Sequence, residues 1–490
     1  MRTVPTTRIF LVAVSLIAVQ VAQGASSTWN LNPTSGDWNT AANWTPAIVP
    51  NAPDATAIFD ISNTTNLSLS GGAVVGEIIF NPGASAFTIT APDLMSDVLS
   101  IVGTGLSNQS GIEQTLVAPK FGEFSLGLPT LIFKGNALAG DLIILTTTPR
   151  GGIRFQDNSS ADRANIVGVA ESVIVFSNSS NADSATITAN GADQTTSYGG
   201  EVDFIFNSDA GEAILIAEGG IRDDDGGRIY FTDDSTGGLA QVRVFGNGTL
   251  LTDHAEPGVT IGSLEGDGIV SIGLGILSIG SNGRDTVFSG VIKDFTFFSP
   301  LRKVGDGSLH LRGASTYSQG TIIDGGQLLA ENTVGSALGT GPVQVNSGTL
   351  GGKGIIAGQV TVGDGSSSDA FLAPGTRRRS VATLNLQSTL TFAEFSNYVW
   401  KLNTRRARAD QVVAFGVSIG AGALFQARGI GHELVSPGTT FTAIENTAAT
   451  PIAGQFANLA DGNIITVKGN RLQADYEGGD GNDLTLTVVP

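Results

Sequence analysis

Between residues 151 and 250 the chain repeats one short arrangement: a phenylalanine, eight residues, then an alanine. The pairs are Phe155 with Ala164, Phe176 with Ala185, Phe204 with Ala213 and Phe231 with Ala240. Successive phenylalanines stand 21, 28 and 27 residues apart. Each closes a short apolar run, as in Val173-Ile174-Val175, and each is followed by Asn, Asp and Ser. Those side chains bond nearby backbone and so favour turns. The alanine opens a second run, such as Ala185-Thr186-Ile187-Thr188. A strand–turn–strand unit of roughly 20 to 30 residues has one apolar face and cannot fold alone; it must stack on copies of itself. The four rings are therefore expected in equivalent positions of neighbouring coils, about 4.8 Å apart along the ladder. The unequal steps predict loops of differing length on an otherwise regular rod.

Composition agrees with an all-β rod. Of 490 residues, 66 are Gly, only 14% are charged and none is Cys. Abundant glycine and β-branched residues with few charges suit strands and tight turns. No disulfide framework or thiolate site is possible. The formal charge of −18 repels phosphate backbones and anionic lipid, which argues against nucleic acid as a partner.

A second patterned stretch runs from Lys303 to Leu328. Ser308-Leu309-His310-Leu311 and Thr321-Ile322-Ile323 alternate between glycines. Gly305, Gly307, Leu309, Leu311, Gly313, Tyr317, Gly320, Thr321, Gly326 and Leu328 resemble the autotransporter-associated β-strand repeat family, with Ser315 and Gln319 as departures. Ala337–Asn346 and Ala373-Pro374-Gly375 look like further parts of that pattern. The resemblance implies a secreted, repetitive, right-handed parallel β-helix or β-solenoid of a bacterial cell surface. It implies no reaction.

Residues 1–24 read as a signal peptide: Arg2 and Arg8, an apolar run to Val21, then Ala22-Gln23-Gly24 as a cleavage site. Residues 25–64 are rich in tryptophan. Trp38 and Trp44 suit either a glycan-stacking platform or a cap over the open end of a solenoid. The solenoid is expected over 65–380. Residues 381–490 alternate as further β-structure, with a sandwich-like end as the alternative.

Chemistry is sparse. His254, His310 and His432 are isolated in the sequence, and no hydrolase elbow or zinc-binding helix motif is present. Arg222, Asp223, Asp224, Asp225, Arg228, Asp233 and Asp234 form the best acidic cluster for a polysaccharide-degrading site, but Asp223-Asp224-Asp225-Gly226-Gly227 is also ordinary turn chemistry. Gly478–Asp483 matches half of a calcium-roll repeat. Calcium candidates are thus Asp223, Asp224, Asp225, Asp480 and Asp483, with weak binding at most and no other cofactor. Arg377, Arg378 and Arg379, and Arg405, Arg406 and Arg408, suit either an oxyanion or plain solvated loops. The expectation is a non-enzymatic, secreted or surface-attached solenoid with a structural or adhesive role toward extracellular polysaccharide or protein. A carbohydrate-binding module and a β-helix lyase or hydrolase are the alternatives.

Overall fold

The computed structural model describes residues 24–93, 97–120, 129–222, 225–252, 257–295, 298–376 and 380–490. All but the last residue of the expected signal peptide lie outside them, as do Asp223, Asp224, His254 and the Arg377–Arg379 cluster.

The chain winds as a parallel β-helix. Strand Gly152–Phe155 is followed by Asn165–Gly168 after a bend; Val173–Phe176 then pairs on the first and Thr186–Ala189 on the second. Repetition of this step builds two sheets that run side by side as far as Val291–Asp294. Among the described residues the first sheet has thirteen strands, from an edge at Trp44–Thr45 to Val291–Asp294. A 3-10 turn at Ala41–Asn43 is the only helical element among them.

The phenylalanines stack as the repeat requires. Phe155, Phe176, Phe204 and Phe231 are register partners in successive strands. Their ring centroids are 4.7, 4.8 and 4.9 Å apart and the planes lie within 9° of parallel. The column begins one coil earlier, at Phe133, 4.7 Å from Phe155. All five rings are fully buried. Beside them runs an aliphatic column, Leu131, Ile153, Ile174, Val202, Ile229 and Leu250. Across the interior, Leu116, Leu145, Ile166, Ile187, Leu215 and Val242 line the second sheet.

The turn between the two strands of a coil is equally regular. Two residues after each phenylalanine the backbone is left-handed, at Asp157, Asn178, Phe206 and Asp233 (φ 54 to 60°). Seven residues after it the same holds for Asp162, Asp183, Gly211 and Gly238 (φ 48 to 58°). Asp, Asn and Gly tolerate that region best, so the polar run after each ring is set by backbone shape. Between these points Ser159, Ser180, Ser208 and Ser235 are buried one above another, and Ser160, Asn181, Asp209 and Thr236 join by single bridges.

From residue 258 three long strands, Gly258–Gly266, Thr321–Ala330 and Val343–Gly352, each turn a corner and pair with two successive strands. Thr321–Ala330 pairs with Leu301–Lys303 through its first half and with Ser308–Leu311 through its second. The bend falls at Gly326 (φ 58°), where an added Cβ would lie 2.3 Å from the Gly307 carbonyl oxygen. Tyr317 is fully buried, and its hydroxyl is 2.7 Å from Thr321 Oγ1. A buried phenol needs such a partner, which ties these two positions of the repeat together.

No break in the stacking falls at residue 380. Thr383–Leu386 and Gln411–Ala414 continue in parallel register, and Leu424–Ile430 pairs with Asn397–Asn403. The same strand phase runs through both sides of the expected boundary. The last strands reverse: Thr440–Asn446, Asp483–Val489, Asn470–Gly478 and Ile464–Val467 form an antiparallel meander at the end of a seven-stranded third sheet.

At the other end Trp29, Trp38 and Trp44 are buried against Phe59, with centroids 4.9 to 6.4 Å apart. Trp44 Nε1 donates to the Trp38 carbonyl at 2.7 Å and Trp29 Nε1 to that of Thr64 at 3.0 Å. Asn43, fully buried, accepts from Thr34 and Ser35 and donates to Ser35 and Asp37. The Trp38 and Trp44 faces are spent on the interior and offer nothing to a sugar ring.

Phe176 sits mid-column with a ring on either side. Phe176→Ala is expected to cost about 3–5 kcal/mol in denaturant unfolding, and a loss below about 1 kcal/mol would show that the column carries little of the stability.

Candidate functional site

Where the second sheet turns its outer face through Ser308–Leu311, Thr321–Ala330, Val343–Gly352, Ala370–Pro374, Asn397–Asn403 and Leu424–Ile430, the face sinks into an open groove of about 590 Å³. Register explains the hollow. One outward row runs His310, Leu329, Gly351, Ala373, so bulk falls away along it. The neighbouring row runs Ser308, Gln327, Thr349, Phe371. Asp285, Asp306, Ser308 and His310 line one end; Lys401 and Arg428 line the other.

His310 is not isolated in space. Its Nδ1 lies 2.9 Å from Glu331 Oε1, and Arg312 Nε donates to Glu331 Oε2 at 2.8 Å. Burial opposes the Glu331 charge, but the Arg312 and His310 bonds outweigh it and hold the carboxyl below its ordinary range. An ionised carboxylate only accepts, so Nδ1 carries a proton, and in the neutral ring Nε2 is then the acceptor. Ser308 Oγ is 3.4 Å from that Nε2. Asp285 Oδ1 accepts both the N–H and the hydroxyl of Ser308 at 2.8 Å, and these two bonds lower its carboxyl.

Two lysines point where lysines rarely do. Lys401 and Asp410 are a buried pair, 2.6 Å apart, and the Lys401 ammonium also donates to the Pro374 carbonyl. Burial raises the Asp410 carboxyl to about 6, against the pull of Lys401. Lys303 occupies an inward position beside Leu301, 1% exposed, and donates to the carbonyls of Val304 at 2.6 Å and Gly305 at 3.0 Å. Burial lowers it to about 8, against the more distant Asp306 and Asp285.

The remaining candidates scatter. Of the Asp223–Asp225 cluster, only Asp225 is described; it is nearly buried and paired with Arg222 at 2.7 Å. Arg228 bridges to Glu201 at 3.3 Å, on the sheet face. Asp480 sits in the tight hairpin between Asn470–Gly478 and Asp483–Val489, and Asp483 accepts from the Asn446 N–H at 2.9 Å. No group of three or more His, Asp or Glu able to hold a metal forms among the described residues. Arg405, Arg406 and Arg408 are exposed at the bend between Asn397–Asn403 and Arg408–Ala409.

One more surface emerges only from the register. On the second sheet, six consecutive strands present two outward columns. One reads Thr88, Thr115, Ile144, Asn165, Thr186, Ile214; the other Thr90, Val117, Thr146, Val167, Thr188, Ile216. No position among the twelve is charged, and no bulge interrupts them. Gln241 and Arg243 end the run.

No family model matches the chain, so the likeness at Lys303–Leu328 remains one of strand pattern. No curated protein matches it either. Among solved structures it is similar to the Haemophilus influenzae Hap adhesin, at 10% identity and a TM-score of 0.28, over 89% of this chain. The chain spans 63% of the length of that adhesin. The class the fold defines is a parallel β-helix. No described helix is long and apolar enough to cross a membrane.

A chelator is expected to leave the melting temperature unchanged within error, because Asp225 and Asp483 already have protein partners. A fall of about ten degrees would reveal an ion worth several kcal/mol. Lys303 gives a pH dependence of definite sign. Its folded value lies near 8 against an ordinary 10.5, so between those limits the unfolded chain binds more protons and stability rises with pH. From pH 7 to 10 the wild type should gain about 2 kcal/mol relative to Lys303→Met; a constant difference would place the ammonium in contact with water.

Proposed function

We propose that this protein is a secreted or surface-attached bacterial β-helix that serves as an adhesive or structural rod, engaging extracellular polysaccharide through many weak contacts. The observation that carries the reading is the uncharged double column from Thr88 to Ile216. On a chain of net charge −18, six strands keep this face free of charge. It extends about 24 Å along the rod, with columns about 7 Å apart. Threonine hydroxyls and β-branched methyls on a stiff sheet match a partner that is itself extended, regular and rich in hydroxyls. Each contact is weak, and repetition along the rod supplies the avidity. The export signal read from the sequence supports the location. Adhesion of this kind needs no pocket and no chemistry.

The purified chain should co-sediment with an insoluble neutral polysaccharide such as cellulose or chitin. Thr115→Glu with Thr186→Glu, which puts two charges on the face and leaves the interior alone, should lower retention about tenfold or more. Equal retention by wild type and variant, or none by either, would overturn the reading.

A further inference from the structure

We propose that the groove holds an esterase site in which Ser308 is the nucleophile, His310 the general base and Glu331 the residue that positions His310, acting on short-chain carboxylic esters. The arrangement rests on three contacts already described: Ser308 Oγ to His310 Nε2 at 3.4 Å, His310 Nδ1 to Glu331 Oε1 at 2.9 Å, and Arg312 Nε to Glu331 Oε2 at 2.8 Å. Nucleophile, base and carboxylate in that order form the constellation that activates a hydroxyl, and it is recognised by geometry whatever the fold. Nucleophile–base distances are commonly long before substrate arrives. The three residues come from two coils, and Ser308 and His310 face the groove.

The surroundings supply further parts. Gln327, the exposed register partner of Ser308, also lines the groove and carries an amide donor of the kind that can stabilise a developing oxyanion. Leu329 and Phe371 give the groove apolar lining for a short acyl chain. Asp285 takes the Ser308 hydroxyl in the resting arrangement. Rotation about Cβ–Oγ transfers that proton toward Nε2 without moving a heavy atom.

The reaction balances with water as the only co-reactant. Ser308 Oγ bonds the ester carbonyl carbon while His310 Nε2 takes the hydroxyl proton. The bond to the alcohol oxygen breaks, and His310 returns the proton to the leaving alcohol. Water then attacks the acyl–Ser308 ester and gives one proton to His310. The acyl–Oγ bond breaks, a carboxylic acid leaves, and Ser308 recovers its proton.

The test uses the full chain with a fluorophosphonate probe and p-nitrophenyl acetate. Mass spectrometry of the digested protein should find one phosphonate, on Ser308. Hydrolysis should disappear in Ser308→Ala and fall about a hundredfold or more in His310→Gln, which leaves the Ser308–Asp285 bonds intact. In Glu331→Gln the acidic limb of the pH–rate profile should move to lower pH, because the imidazolium loses a counter-charge; Asp285, Arg312 and Ser308 also face that ring and are unchanged. A purely structural Glu331 would leave the limb in place. No probe on Ser308, or equal hydrolysis by wild type and Ser308→Ala, would overturn the proposal.

Discussion

Everything in this molecule depends on parallel strands stacking coil upon coil without losing register. The backbone ladder runs in the direction of the rod, so each strand is satisfied only by its predecessor and successor. Any residue that suits one coil is then placed above its counterpart in the next, at the strand spacing. That spacing also falls within the preferred centroid separation of offset-stacked rings, which is why a phenylalanine column forms from Phe133 to Phe231 with planes within 9° of parallel. The turns follow from the same demand. A corner that must fall at the same height in each coil favours Asp, Asn or Gly where φ is positive, with Phe206 the exception, and places a buried serine between them.

The same rule organises the outside. Register turns isolated side chains into columns, and a column has properties that a single residue lacks. Twelve uncharged positions make a face, and a row that shrinks from His310 through Leu329 to Gly351 and Ala373 makes a groove. The adhesive reading and the esterase reading lie on different parts of the rod and draw on different features: one on uniformity, the other on its local failure.

The fold was legible because the repeating features are local. Phenylalanine, turn and alanine lie within ten residues, and their recurrence needs no knowledge of pairing. Phe133 escaped because its ninth following residue is Leu142 and not Ala. The stacking beyond residue 380 was visible as alternation, but nothing in alternation distinguishes another coil from a separate sheet. The groove was hidden for a different reason. Glu331 lies 21 residues from His310, and only the pairing of Ser308–Leu311 with Thr321–Ala330 brings them together. The uncharged face was half-visible as Thr88-Ile89-Thr90 and Thr186-Ile187-Thr188; its other strands carry Ile, Val and Asn, which share neutrality more than identity. Lys303 gave one cue, a charge at the inward position two residues after Leu301. The tryptophans were open to two readings because sequence does not report which way an aromatic face points.

The tryptophan plug at the first coil has a bearing on how copies of this protein coexist. A parallel ladder left open would be a template for another chain, and rods could lengthen by adding end to end into fibres. Here the first sheet begins with an edge strand of two residues, Trp44–Thr45, that runs antiparallel to its neighbour. The three indoles behind it fill the bore. An incoming chain finds neither a continuing register nor an apolar opening. This end therefore gives end-to-end addition no template, and contact between copies at the first coil is left to the long sides.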